Sequence, residues 1–493
     1  MPRAAASALA AIANDLRTAH REGDSASVLR IVAERPLLAW YAIPIPETQA
    51  ALTLAVSAPS SAPTEHRLIG GALLQLLKGE LPTTVFPDHL QAIALALRGL
   101  RDRLHGAPSS ALQLQLSARE HRTATSLFDI SDGVAAFESM QIGVTRMLRG
   151  DFADALVDFA AVRWNPGSTL PFLTRDAHAK EAVIHAFYGS PAAARRHLEA
   201  AAKAPRTPSW VEAGIDAHLE IARAVDDDDA DAALHRLEQV PLADVGELWP
   251  FHIEALYRVH ARLGRGESIT RRLERMRAAA PSVRARDGMP GNIFDCVLAL
   301  DAFFRGDHAA AKSHNASVDP GFFRGAMMQA MLDIVAGNAE SASRRLAGLR
   351  AATEGLDQLE GQRLALVAQA QHAQGRSDDA LDALRALTEL PDDAGRLGAR
   401  LLTGELHDLA RVEIPTWEVL PCVALWPEDN IALTDREREL LVALHSGLTR
   451  TEIADRLFVS INTVKTHQRS LFRKLGVTTR AEAAAVAERR GLL

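Results

Sequence analysis

The chain has 493 residues, a formal net charge of −7, 47% hydrophobic residues and only 5% aromatic ones. Such a composition, dominated by Ala and Leu, supplies ample core and favours close-packed helices over a β-sandwich. Two lone cysteines, Cys296 and Cys422, exclude a disulfide framework and a thiolate metal site, and no apolar run reaches the ~18–20 residues that span a bilayer, so the expected setting is the cytoplasm with no membrane partner.

The opening "MPRAAASALAAIANDLR" resembles a signal peptide only in Arg3 and its alanines. Leu9, Ile12 and Leu16 step at i, i+3, i+7, and the pattern runs on into polar helix, which predicts a first helix of a cytoplasmic protein. From there to residue 412 strand alternation is almost absent. One element recurs instead, a helix that stops at a small residue followed by an Ala-rich helix. It appears at Gly150, Gly189, near Asp228, and at Gly266, Gly306, Gly337 and Gly375, with an earlier copy at Gly23. Residues 30–130 fit this pattern least, and "SAPSSAPTEH" (57–66) reads as a loop.

The recurrence resembles tetratricopeptide-type helical hairpins, without the full consensus of that repeat. The expected architecture is an α-solenoid over 1–412 that senses a protein or small-molecule effector. An irregular helical bundle is the second architecture. Trp164, Trp210, Trp249 and Phe251 are read first as packing residues at helix seams and second as the lining of a concave face. Asp226–Asp229 reads as a solvated loop between hairpins. Residues 413–432 carry three prolines and no helical period, and are expected to be a linker.

The last segment, 433–493, differs in charge. From Ile431 onward there are 11 Lys and Arg against 7 Asp and Glu, whereas the preceding 430 residues carry 44 against 55. A small basic module on an acidic body points to a polyanionic partner for that module. Capping boxes occur at Thr434/Glu437, Thr449/Glu452 and Thr479/Glu482, Ser460 is a fourth N-cap, and Gly447 and Gly476 are expected helix stops. These signals predict helices at about 435–446, 450–457, 461–475 and 480–489. They would share one core of Leu440, Leu441 and Leu444; Ile453, Ala454 and Leu457; Val464, Leu471 and Leu475; and Ala483, Val486 and Ala487. Only "FVS" separates the second and third helices, as in a helix-turn-helix unit. The third contains no acid. Asn462, Lys465, Thr466, Arg469 and Arg473 lie on the side opposite its apolar residues.

Residues 433–483 are similar to the LuxR-type (GerE-type) DNA-binding domain. The similarity runs through Leu433-Thr434, Arg436-Glu437, Gly447-Leu448, Glu452-Ile453-Ala454, Leu457, Ser460, Thr463-Val464-Lys465, His467, Lys474-Leu475-Gly476-Val477 and Arg480. It implies an all-α, four-helix module whose third helix reads double-stranded DNA. On this sequence, Lys465, Thr466 and Arg469 would meet base edges and adjacent phosphates. Asn462 and Arg473 share that face. Thr463 and Lys474 would position the helix on phosphates, although Lys474 also suits a cation lying over Leu471. His467 reads as a packing residue at the core margin. The last helix, "RAEAAAVAERR", resembles the element through which family members pair, which implies a homodimer on an inverted-repeat operator.

Larger LuxR-type regulators carry an ATPase module, but no GxxxxGK[ST] occurs here. HExxH, GxSxG and CxxC are absent as well, and the 18 histidines are scattered. No enzyme activity, cofactor or metal is expected. The leading reading is a sequence-specific transcriptional regulator. The alternative is a helical-repeat adaptor whose C-terminal fold docks on a protein.

Overall fold

A computed structural model describes residues 2–80, 85–121, 133–164, 170, 172–263, 266–279, 283–391, 394–417, 435–457, 459–475, 477 and 479–489. The side chains of Arg473 and Val486 are among those outside this description. Every regular element among the described residues is a helix, so the expected all-α class holds. No described helix is long and apolar enough to cross a membrane. The chain divides into two compact units, Met1–Phe294 and Asp295–Leu493.

In the first unit the predicted opening helix spans Pro2–Glu22 and buries Leu9 and Leu16 almost completely. Its neighbours up to Leu104 share a core that includes Leu29, Val32, Leu52, Ile69 and Leu90. The loop expected at 57–66 is shorter, because one helix ends at Ser57 and the next begins at Thr64. Helical hairpins follow: Val134–Arg149 with Phe152–Arg163, Phe172–Phe187 with Pro191–Lys203, Glu212–Asp226 with Ala230–Glu238, and Trp249–Arg262 with Gly266–Ala279. The first helix of each packs on the first helix of the next.

Two glycines show how the first of these hairpins closes. Gly150 ends the helix Val134–Arg149 at φ +101°, a conformation most side chains resist, and Asp151 N donates back to the Arg146 carbonyl at 2.9 Å. Gly143 faces the second helix so closely that a Cβ there would lie 2.7 Å from the Phe159 ring. Turn and contact both depend on the missing side chain.

Apart from Gly266, which is the first residue of the helix Gly266–Ala279, the predicted anchors fall between helices, by more than one mechanism. Gly189 is not left-handed. There Ser190 caps the following helix by accepting from Ala193 N at 3.2 Å, and Pro191 starts it. Near Asp228, Asp229 caps Ala230–Glu238 by accepting from the N–H groups of Asp231 and Ala232. Asp226 ends the helix Glu212–Asp226 and pairs with Arg195 at 2.9 Å, so the acidic run is the turn inside one hairpin, tied down locally, rather than a solvated loop between two.

A hairpin also forms in the region that fitted the pattern least, Gln91–Leu104 with Pro108–Glu120, turned at Gly106 (φ +67°). The aromatic residues mostly pack. Phe251 is fully buried beside Phe152, Phe187 and Tyr188. Trp210 stacks on Tyr41 and donates its indole N–H to the Trp40 carbonyl at 3.0 Å. Trp249 stacks on Phe294 at 5.6 Å. Trp164 is 83% exposed.

The second unit contains the hairpins Phe323–Val335 with Ala339–Gly348 and Asp357–Ala373 with Ser377–Thr388, turned at Gly337 and Gly375 with φ near the left-handed value. The helices Ala394–Ala399 and Gly404–Glu413 close onto the latter, burying Leu384, Leu402 and Leu406. Trp417 lies edge-on to His407 at the end of this core. Residues 418–432 of the expected linker, Trp426 among them, lie outside the described residues.

Candidate nucleic-acid interface

Four helices end the second unit: Asp435–His445, Arg450–Leu457, Ile461–Leu475 and Arg480–Arg489. Each expected boundary is met to within a residue, because local chemistry sets it. Thr449 donates its N–H and hydroxyl to Glu452 at 2.7 and 2.8 Å, while Glu452 N donates back to the Thr449 hydroxyl. These bonds, led by the Thr449 N–H, hold the Glu452 carboxyl below the ordinary carboxylate range. Thr479 and Glu482 exchange backbone-to-side-chain bonds at 3.2 Å in both directions. The predicted box at Thr434 and the stop at Gly476 lie outside the described residues.

The first helix ends in a Schellman motif. Gly447 takes φ +84°, its N–H donates to the Leu444 carbonyl, and Leu448 N–H donates to the Ala443 carbonyl. The four helices enclose Leu440, Leu441, Leu444, Ile453, Ala454, Val464, Leu471, Leu475, Ala483 and Ala487, nearly all of the expected core. Leu457 is partly buried at its edge.

Against that core the third helix is fixed in rotation. Val464, Gln468, Leu471 and Leu475 are buried, whereas Asn462, Lys465, Thr466 and Arg469 are exposed. The tight Val459–Ser460 connection sets its start: Ser460 Oγ accepts from Thr463 N at 3.1 Å and lies 2.8 Å from the Thr463 hydroxyl. Thr463 is therefore half-buried and engaged in the cap. The Thr466 hydroxyl donates to the Asn462 carbonyl at 3.0 Å, which turns its methyl group away from that carbonyl and shortens its polar reach. Among the described residues, neither Lys465 nor Arg469 has an ion-pair partner. The expected cationic surface is thus free to neutralise an external anion, with Arg473 belonging to the same helix.

Lys474 is placed differently. Its Nζ lies 2.6 Å from Oε2 of Glu437 on the first helix, and Ser470 donates to Oε1 at 2.9 Å. Glu437 is 4% exposed, so the third helix is tied to the first by a cation that sequence reading placed on phosphate or over Leu471. His467 is half-buried and lines a small cleft with Leu440, Leu457, Val459 and Val464, in keeping with a margin-packing role.

Two further fixings could not be read from sequence spacing. Arg450, at the start of the second helix, donates from Nε to Gln468 Oε1 at 2.9 Å, clamping the two helices of the turn. Arg480 donates from Nε to the Leu444 carbonyl and from Nη1 to the Leu448 carbonyl, each at 2.9 Å, and Nη2 also reaches Leu444. A side chain of the fourth helix thereby adds donors to the Leu444 carbonyl, which also receives the Gly447 N–H, and to the Leu448 carbonyl just past the first helix. Ala483 and Ala487 of that helix face the core.

Comparison with known proteins agrees with this geometry. Residues 432–487 match the GerE family, described as bacterial regulatory proteins of the luxR family. Over 55 residues the chain is 54% identical to the probable transcriptional regulatory protein SgaR of Hyphomicrobium methylovorum, covering 11% of this chain and 26% of that protein. The transcriptional regulatory protein LiaR of Bacillus subtilis is 44% identical over 62 residues, 13% of this chain and 29% of LiaR. The HTH-type transcriptional regulator MalT of Yersinia pestis is 46% identical over 57 residues, 12% of this chain and 6% of MalT. The chain therefore spans between about a twentieth and three-tenths of the length of these curated relatives.

Proposed function

Since residues 432–487 constitute a regulatory domain of the luxR family, we propose that the chain is a transcriptional regulator that binds double-stranded DNA sequence-specifically through its third C-terminal helix. The observation that carries this reading is one exposed, acid-free surface, Asn462, Lys465, Thr466 and Arg469, on a helix whose other side is locked into a core. Arg469 and Lys465 supply donors suited to guanine edges or phosphate, Asn462 suits adenine, and the Thr466 methyl suits thymine. Arg473 is proposed, from its sequence position alone, as a further cationic contact to DNA, and Thr463 positions the start of the helix.

The rest of the proposal concerns the whole chain. Residues 1–412 would serve as the effector-sensing part and 413–432 as the linker. The chain would act by binding rather than by catalysis. Two copies would pair on an inverted-repeat operator. Because Ala483 and Ala487 are taken up by the core, pairing through the fourth helix would use its opposite side, where Ala481 and Glu482 are exposed.

The test is selection of bound sequences from random duplex DNA by the full chain, followed by binding to the selected site across a salt series. A recurrent two-fold symmetric sequence is expected, with log affinity falling linearly against log salt by about 0.9 for each phosphate neutralised. Recovery of no preferred sequence would refute the reading.

A further inference from the structure

In the first unit, three donor atoms converge within the hairpin Phe172–Phe187 with Pro191–Lys203. His178 Nδ1 and His197 Nδ1 are 3.0 Å apart. Glu181 Oε2 lies 3.7 Å from the first and 3.2 Å from the second. His178 and Glu181 share one helix face at i, i+3, and His197 comes from the partner helix.

We propose that His178, Glu181 and His197 form a binding site for a borderline divalent transition-metal ion of the Zn²⁺ class.

The triangle has the size such an ion requires. With Zn–N of ~2.0–2.1 Å and Zn–O of ~2.0–2.2 Å, the ligand-to-ligand edge of a tetrahedron is about 3.3 Å. The observed edges of 3.0, 3.2 and 3.7 Å bracket that value. The donor set of two imidazoles and one carboxylate matches the preference of Zn²⁺, Co²⁺ or Ni²⁺ and is a poor one for Mg²⁺ or Ca²⁺, which take oxygen.

The protonation chemistry agrees. Two Nδ1 atoms face each other, so a metal-free pair can satisfy itself with only one proton between them, and nothing in that arrangement serves Glu181. Its Oε2 is buried and accepts no hydrogen bond, although Arg163 Nε approaches it to 2.8 Å without hydrogen-bond alignment. A cation at the centre would take both imidazole lone pairs and this buried oxygen.

The surroundings orient the donors. Arg163 Nη2 donates to the other Glu181 oxygen at 2.9 Å, fixing the carboxylate plane. The ring of His185 stacks on that of His197 at 5.5 Å with 12° between planes. His178 and His197 each keep 16% exposure, which leaves an approach for the ion and for a water at the fourth position. The positive charge of Arg163 moderates affinity without removing the site. This inference stands independently of the DNA-binding proposal.

The full chain, stripped with chelator and desalted, is titrated with Zn²⁺ by calorimetry and with Co²⁺ by visible absorption, alongside folded His178→Gln and His197→Gln variants checked by circular dichroism. We expect one ion per chain, the intense visible bands of four-coordinate Co²⁺, a higher Tm with Zn²⁺ but not with Mg²⁺, and at least tenfold weaker binding in each variant. Absence of binding by the wild-type chain, an equal effect of Mg²⁺, or wild-type affinity in either variant would overturn the assignment.

Discussion

Lys474 sets its ammonium nitrogen 2.6 Å from Oε2 of Glu437, a carboxylate that is only 4% exposed and whose other oxygen receives the Ser470 hydroxyl. The two residues stand 37 positions apart and join the third helix of the C-terminal domain to the first. Removing the cation takes a charged partner away from a buried carboxylate. Breaking a fully buried pair in this way costs ~3–5 kcal/mol, and the partial exposure of Lys474 lowers that to about 1–2 kcal/mol. Lys474→Ala should therefore loosen the domain, read as faster hydrogen exchange of the amides between Ile461 and Leu475 in the full chain. Unchanged exchange would mean that the pair contributes nothing.

Arg480 leads to a second expectation. Its guanidinium serves the carbonyls of Leu444 and Leu448 at the end of the first helix, where Gly447 has already reversed the chain. Arg480→Ala leaves both carbonyls without this donor, a loss of about 1 kcal/mol for each. The protection of Arg480–Arg489 amides should fall accordingly. Arg480→Lys should restore only part of it, since a single ammonium cannot reproduce a fork aimed at two carbonyls. Full restoration by lysine would show that charge alone suffices.

How far the sequence disclosed these features follows from the range of the interactions behind them. The four C-terminal helices are legible to within a residue because Thr449, Ser460, Thr479 and Gly447 act on N–H and carbonyl groups within five positions. Gly150, Gly306, Gly337 and Gly375 were legible as turns for the same reason, each taking positive φ. Gly189 stops its helix as a small residue without taking positive φ. It is there because a Cβ would lie 2.4 Å from His185 Nδ1, not because φ is positive. The hairpin turned at Gly106 carries a weaker sequence signal, because Ala107 and Pro108 replace the polar residues seen at other anchors. The Glu437–Lys474 pair, the Arg480 cap and the His178–Glu181–His197 triangle join residues on different helices, and no spacing rule connects positions that only the fold brings together.

Acid should weaken the first unit. Burial holds His178, His185, His218 and His252 at about 4, against an unfolded value of about 6.5. Each is neutral in the folded chain and binds a proton on unfolding once the pH falls below its unfolded pKa. Their contribution is fully present above about pH 6.5 and is lost as the pH falls from there towards about 4. Asp151, Asp158 and Asp226, raised chiefly by burial, act in the opposite sense at the acid end of that window. With chelator present throughout, Tm should drop between pH 7.5 and pH 5. A flat profile over that interval would contradict the neutral, buried state of these imidazoles.

The last expectation separates reading residues from positioning ones. Lys465 and Arg469 are exposed and have no ion-pair partner among the described residues, so replacing either with Ala removes nothing the fold uses. Folding should stay within about 0.5 kcal/mol of wild type. Binding to the selected operator should weaken by ~1–3 kcal/mol for a residue on a base edge, with relaxed preference at one position of the site. A residue on phosphate should instead weaken all sequences alike and reduce the salt slope by about one. Lys474→Ala should behave in neither way. Its binding defect should track the loss of domain protection and recover where the domain is fully folded, at low temperature or in stabilising osmolyte, with the salt slope of wild type. If Lys474→Ala instead lowers the salt slope by a full phosphate in a domain that exchanges like wild type, its ammonium leaves Glu437 for the DNA backbone when the complex forms.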